Sequence, residues 1–170
     1  MTAGFLPLSA VLTTDSIYQL FDADYFERRA FLHSNTYTGN ALGVSAALAA
    51  LDAYAQEDVP GQVERGSAVL QRQVGALCEG RPFLRNARVA GMMAAVDLAS
   101  RDGSPLDPRD RTGYRVYGEA LRRGALLRPL GDTMYLFPPL NTSAADLQAM
   151  VAVLAESLDA VFGFREPSPG

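Results

Sequence analysis

Residues 41–51, Ala41-Leu-Gly-Val-Ser-Ala-Ala-Leu-Ala-Ala-Leu51, are small side chains broken by leucines, and the stretch ahead of them, His33-Ser-Asn-Thr-Tyr-Thr-Gly-Asn40, is a row of hydroxyls and amides. Alanine and leucine favour helix, and Gly39-Asn40 supplies a turn and an N-cap, so a helix is predicted from Ala41 to about Tyr54. A helix surfaced with Ala, Gly and Ser lets another backbone approach closely, which predicts that it is sandwiched inside the protein. The polar loop has two readings. It caps a core helix and does nothing more, or its donors and the positive end of the helix hold a phosphate or carboxylate, an interaction contributing up to about 2 kcal/mol when partly buried.

The segments on either side follow from periodicity. Phe5-Leu-Pro-Leu-Ser-Ala-Val-Leu12 is an apolar run of strand length, with Pro7 favouring an edge or a strand start. Thr13-Thr-Asp15 caps a short helix around Ser16 to Phe21, and Asp22 to Arg29 is a charged, exposed segment. Gln56-Glu-Asp58 and Pro60 mark a boundary, dividing residues 1–57 from a second domain, 58–162. Within it, Val63, Leu70, Val74 and Leu77 recur at helical spacing and Gly80-Arg-Pro82 stops the pattern. Ala87 to Leu98 reads as one strand, Ser100 to Pro108 as a loop, and Arg109 to Arg123 as a helix carrying Tyr114, Tyr117 and Leu121 on one side, with Gly124 ending it. Ala125 to Leu127 and Thr133 to Phe137 read as two short strands flanking a turn. The last helix opens at Thr142 or Ser143, and Leu147, Met150, Val151, Leu154, Leu158, Val161 and Phe162 line one face. Residues 163–170 lack the pattern and are expected to fray as a flexible tail.

Charge and cysteine narrow the function. With 19 acidic against 15 basic residues the net charge is -4, and there is no polybasic run, which argues against nucleic acid or an anionic membrane as partner. No stretch reaches the roughly 20 apolar residues of a membrane span and no export signal is apparent, so the cytoplasm is the expected compartment. The lone Cys78 reads as an inert small hydrophobe, the lone His33 as a structural loop residue, and no metal site is expected. Every one of the 15 basic residues is arginine. A chain without lysine has no side chain that can form a Schiff base.

Arg128 stands at the end of an apolar run, where a guanidinium needs a planar, bidentate partner. That partner is either a ligand's carboxylate or, structurally, Asp132 or Asp97. A hydrogen bond to a charged group contributes about 1.5–3 kcal/mol, enough to position a ligand at a partly wet site.

Thr2-Ala-Gly4 with Leu8-Ser-Ala-Val-Leu-Thr-Thr14, the loop His33 to Asn40, and Arg128-Pro-Leu-Gly-Asp-Thr-Met-Tyr-Leu-Phe-Pro-Pro139 together resemble the class III pyridoxal-phosphate aminotransferases, in family order from Thr2 to about Phe162. The resemblance implies an α/β fold, the C-terminal part of a fold type I transferase, with residues 1–57 a remnant of the cofactor-binding large domain and 58–162 the small α+β domain. It implies pyridoxal 5'-phosphate as cofactor and a homodimer in which Thr36 holds phosphate for the neighbouring subunit, with Asn35 contributing through its backbone. Ser34 matches a position whose backbone lies near substrate, and Arg128 matches the arginine that takes the substrate carboxylate, with Tyr135 in the same block. The likeness is greatest to members that use S-adenosylmethionine as amino donor to 7-keto-8-aminopelargonate in biotin biosynthesis. Other class III enzymes, acting on omega-amino acids or ornithine, and a non-catalytic folded or partner-binding remnant are the alternatives. The family's Schiff-base lysine falls just upstream of the block matching Thr2-Ala-Gly4. The expectation is therefore a truncated chain, inactive alone, in which Met1 stands for a leucine codon read as a start and an N-terminal polypeptide is missing.

Overall fold

The computed structural model describes residues 1–163, so the expectation for the tail beyond Gly163 lies outside the described residues. The chain divides into two units, Met1–Asp58 and Val59–Gly170.

The first unit holds two helices, α1 (Asp15–Tyr18) and α2 (Ala41–Gln56), with a 3-10 turn at Tyr25–Glu27 between them. Helix α1 ends three residues before the expected Phe21, and single turns closed by Gln19 and Phe21 N–H groups replace its last part. Phe5 to Leu12 is irregular chain and not a strand, with Val11 and Leu12 more than 90% exposed. A strand exists only through a ladder, and among the described residues 1–58 there is no other strand to pair with it. Nor is α2 sandwiched within the unit. Gly43 and Ala47, one turn apart, are its buried positions, while Leu42 is 72% and Leu48 59% exposed. At Gly43 the close approach that small residues permit is visible, since a Cβ there would lie 3.6 Å from Leu8 Cδ1.

The second unit is a four-stranded antiparallel sheet covered on one face by helices. It runs α3 (Val59–Cys78), β1 (Leu84–Ala90), β2 (Met93–Leu98), α4 (Thr112–Arg122), β3 (Arg128–Leu130), β4 (Thr133–Leu136) and α5 (Ala144–Phe162), with sheet order β1-β2-β4-β3. Alternation decides the faces. Ala94, Val96 and Leu98 of β2 and Met134 and Leu136 of β4 point into a core shared with Leu70, Val74 and Leu77 of α3, Val116 and Ala120 of α4, and Leu147, Leu154 and Leu158 of α5. Of Tyr114, Tyr117 and Leu121 on α4, Tyr114 and Leu121 are about half exposed and Tyr117 is half-buried, and none belongs to the core.

The single strand expected over 87–98 is a hairpin. Ala90 pairs with Met93 across Gly91-Met92, and Leu130 pairs with Thr133 across Gly131-Asp132. In both turns the positive φ falls on the glycine alone, +55° and +60°, the pattern of the type II′ turns that match strand twist. Arg128 thereby belongs to a strand and not to the turn. Because Leu130–Thr133 closes a two-residue hairpin, the next residue back, Pro129, turns its nitrogen away from β4 along the sheet's edge, where no N–H is needed.

The start of α5 and the end of α4 are capped as the sequence marks them, whereas Thr14 makes no side-chain cap at the start of α1. Ser143 Oγ accepts the Asp146 N–H at 3.1 Å and donates to its carboxylate at 2.7 Å, which makes Ser143 and not Thr142 the cap of α5. After α4, the Ala125 N–H donates to Ala120 and the Gly124 N–H to Leu121, a Schellman end. The Arg81 guanidinium, 7% exposed, donates to both carboxylate oxygens of Asp159 at 2.9 and 2.8 Å and to the Leu77 carbonyl, tying the end of α3 to α5.

Candidate functional site

The predicted phosphate residues lie in one tight turn ahead of α2. The Asn35 N–H donates to Thr38 Oγ1 at 3.0 Å, the Thr38 N–H returns to the Asn35 carbonyl at 2.9 Å, and the Asn40 N–H closes on Tyr37 at 3.1 Å. Asn40 Oδ1 then accepts from Leu42 and Gly43 at 3.0 and 3.2 Å. The capping reading is therefore correct for Asn40, and two N–H groups at the start of α2 are already satisfied. What remains for an anion lies one turn earlier. Among the described residues, the hydroxyls of Ser34 and Thr36 and the N–H groups of Thr36 and Tyr37 have no hydrogen-bond partner. A hydroxyl beside two consecutive amide donors, all exposed, suits phosphate oxygens.

The second unit holds Arg128 and Tyr135 as direct cross-strand partners of β3 and β4. Since Met134 and Leu136 point to the core, Arg128 and Tyr135 stand on the face that the helices leave open. Neither carboxylate suggested by the sequence pairs with Arg128. Asp97 accepts from Arg88 at 2.9 Å, Thr133 at 2.7 Å and Asn86 at 3.0 Å, and these bonds, the Arg88 one foremost, pull its carboxyl down to about 2. Asn86 reaches it from a bulge in β1, where its φ is +48°. Asp132 forms no ion pair with Arg128, whose guanidinium has no carboxylate partner among the described residues. An exposed arginine with its fork unengaged is competent for bidentate carboxylate binding.

Residues that sequence reasoning passed over surround Arg128. Tyr114 and Tyr117 of α4 and Leu126 and Pro129 line a groove of about 450 Å³ with it. The i, i+3 spacing of the tyrosines was their only signal, and it reads equally as a core stripe. Burial raises the Cys78 thiol above its ordinary range, as an inert cysteine requires. Among the described residues no helix is long and apolar enough to cross a membrane.

The family description "Aminotransferase class-III" matches residues 1–158. The chain belongs to the class III aminotransferases. It is 38% identical over 166 residues to the adenosylmethionine-8-amino-7-oxononanoate aminotransferase of Geobacter sulfurreducens, covering 96% of this chain and 36% of that protein. The enzyme of the same name from Nitratidesulfovibrio vulgaris is 38% identical over 167 residues, 95% of this chain and 30% of that one. Among solved structures, the adenosylmethionine-8-amino-7-oxononanoate aminotransferase of Methanocaldococcus jannaschii matches with TM-score 0.86 at 32% identity, over 94% of this chain and 36% of that chain. An amine transaminase from an uncultivated Pseudomonas species, solved with pyridoxal phosphate bound, matches with TM-score 0.79 at 34% identity, over 95% and 36%. This class III aminotransferase chain thus spans about a third of the length of the curated relatives it matches.

Pyridoxal phosphate is the cofactor of the family, and the residues fit it at one end only. The Thr36 turn has hydroxyl and amide donors of the kind a phosphate group takes. Toward its aldehyde the chain offers no side-chain amine, because its 15 basic residues are all arginine.

Proposed function

We propose that this chain supplies the phosphate-holding turn and the carboxylate-binding arginine of a transaminase that moves an amino group from S-adenosylmethionine to 7-keto-8-aminopelargonate in biotin biosynthesis, in the cytoplasm. The observation that carries this is the unengaged Arg128 guanidinium beside Tyr135, in a chain whose curated relatives bear that enzyme's name. Arg128 grips the keto acid's carboxylate through two parallel N–H···O bonds, which fixes where along the acid's length the keto carbon lies. Thr36, with the backbone of Asn35, holds the cofactor phosphate for the neighbouring subunit of a homodimer, and the backbone at Ser34 borders the substrate. When bound, the cofactor supplies the electron sink through which the amino group changes carrier.

Without a lysine this chain cannot hold the cofactor covalently or carry the proton at the reacting carbon, so alone it is inactive. Its completion comes from an N-terminal polypeptide bearing that lysine. The purified 170-residue protein, given cofactor and both substrates, is expected to form no diamino acid detectable by mass spectrometry, and turnover without an added partner overturns the reading. Turnover restored by adding a lysine-bearing N-terminal polypeptide supports the reading, and none favours a folded, non-catalytic remnant. The second substrate reading is another class III reaction, on an omega-amino acid or ornithine, and the 34% identity to an amine transaminase supports a different amino donor in general rather than either of these. A donor and acceptor screen on the assembled enzyme separates the two.

A further inference from the structure

We infer that the cleft between the start of α4 and the β3–β4 turn binds a small zwitterion, its carboxylate on Arg111 and its ammonium group on Asp132. Pro108, Arg111, Tyr114, Pro129, Gly131 and Asp132 line this cleft of about 310 Å³, at the lower end of the roughly 300–1,000 Å³ of small-molecule sites. Two side chains of opposite charge face the same space. They do not pair with each other, and among the described residues neither has another ion-pair partner. The Arg111 guanidinium sits 4.4 Å from the centre of the Tyr114 ring. Stacking of that kind occupies the flat face of the guanidinium and leaves its N–H edge for a carboxylate.

Charge selects the class of ligand. A simple acid is attracted by Arg111 and repelled by Asp132, and a simple amine meets the reverse, whereas a molecule carrying both groups satisfies both walls. The next charges along the chain do not interfere, because Arg109 is already paired with Asp107. Two prolines among the lining residues fix their own backbone φ, so the walls lose little freedom when a ligand enters. The cleft is separate from the carboxylate site proposed at Arg128, and the inference does not rest on that reading. A Cβ on Gly113 would lie 3.1 Å from Pro129 Cβ, so Pro129 is on the α4 side of β3, and alternation sends the Arg128 side chain to the opposite face.

The test titrates the full chain with 4-aminobutyrate, butyrate and butylammonium, following the backbone amides of Tyr114 and Gly131 by NMR. An exposed ion pair strengthens binding by up to about fivefold, so 4-aminobutyrate is expected to bind about fivefold more tightly than either single ion of the same length. Arg111→Gln should abolish its advantage over butylammonium and keep its advantage over butyrate. Asp132→Asn should do the opposite, with circular dichroism unchanged in both variants. Arg128→Gln should leave the response of these two amides as it is. A zwitterion that binds no more tightly than the single ions overturns the inference, as does an unchanged preference in either Arg111→Gln or Asp132→Asn. Loss of the response in Arg128→Gln places the ligand on the other face of the sheet and overturns it as well, while the first two failures leave the reading of Arg128 untouched.

Discussion

The same substitution on the same helix should have opposite signs five residues apart. Gly113 and Gly118 both lie in α4. A Cβ at Gly113 would stand 2.2 Å from the Gly131 carbonyl oxygen and 3.1 Å from Pro129 Cβ, whereas one at Gly118 would meet nothing closer than the tip of Arg122 at 3.8 Å. The obstacle at Gly113 is backbone, so no rotamer relieves it and α4 must move by about 1 Å against the β3–β4 hairpin. Such overpacking costs about 1–3 kcal/mol, and helix propensity returns less than about 1 kcal/mol in a first turn. Gly113→Ala should therefore destabilise by about 2 kcal/mol, lowering Tm by roughly 10 °C for a unit of this size. Gly118→Ala should stabilise by about 0.5–1 kcal/mol, since it gains propensity with no clash. Thermal melts of both variants beside the parent protein decide the matter. A Gly113→Ala protein at least as stable as the parent refutes the close approach, and with it the placement of α4 against the strand that carries Arg128.

Asp97 is held at about 2 against an ordinary 3.8, so it contributes stability above about pH 4 that is lost as pH falls through about 2. The carboxylate is partly exposed, so screening limits this to roughly 1 kcal/mol, and the stability gap between the parent and Asp97→Asn should shrink from pH 6 to pH 2 in urea titrations. A gap that stays constant contradicts the assignment. Asp159→Ala removes the carboxylate that takes two hydrogen bonds from the buried Arg81 guanidinium and should cost about 3 kcal/mol, while replacing both residues by apolar ones should cost much less. Denaturation midpoints for the single and double variants test this, and a single variant within 1 kcal/mol of the parent would refute it.

Legibility in the sequence tracked how local the deciding interaction is. Helices α3 and α5 could be read because Leu70, Val74 and Leu77, and Leu147, Leu154 and Leu158, repeat at helical spacing, and the Ser143 cap of α5 acts within three residues. The hairpin over 84–98 was hidden because Gly91-Met-Met-Ala-Ala is apolar on both sides of its turn, and only pairing reveals the reversal. Arg81 and Asp159 are 78 positions apart, beyond any local pattern. Phe5 to Leu12 has the composition of a strand and no partner to make it one. At the candidate site, the Asn40 cap followed from residue type, but that Arg88 and not Arg128 takes Asp97 depends on a bulge at Asn86 that nothing in the local sequence announces.

Pro129 has a consequence for its neighbour as well as for the edge. A proline ring bars the preceding residue from helical backbone angles, so Arg128 is held extended before any ligand arrives. An acid meeting that guanidinium has only side-chain torsions left to freeze, and the main-chain part of the entropic penalty has been met during folding. On the proposed carboxylate reading, affinity at this position is set partly by a residue that can donate no hydrogen bond from its own backbone, through the freedom it removes from the residue before it.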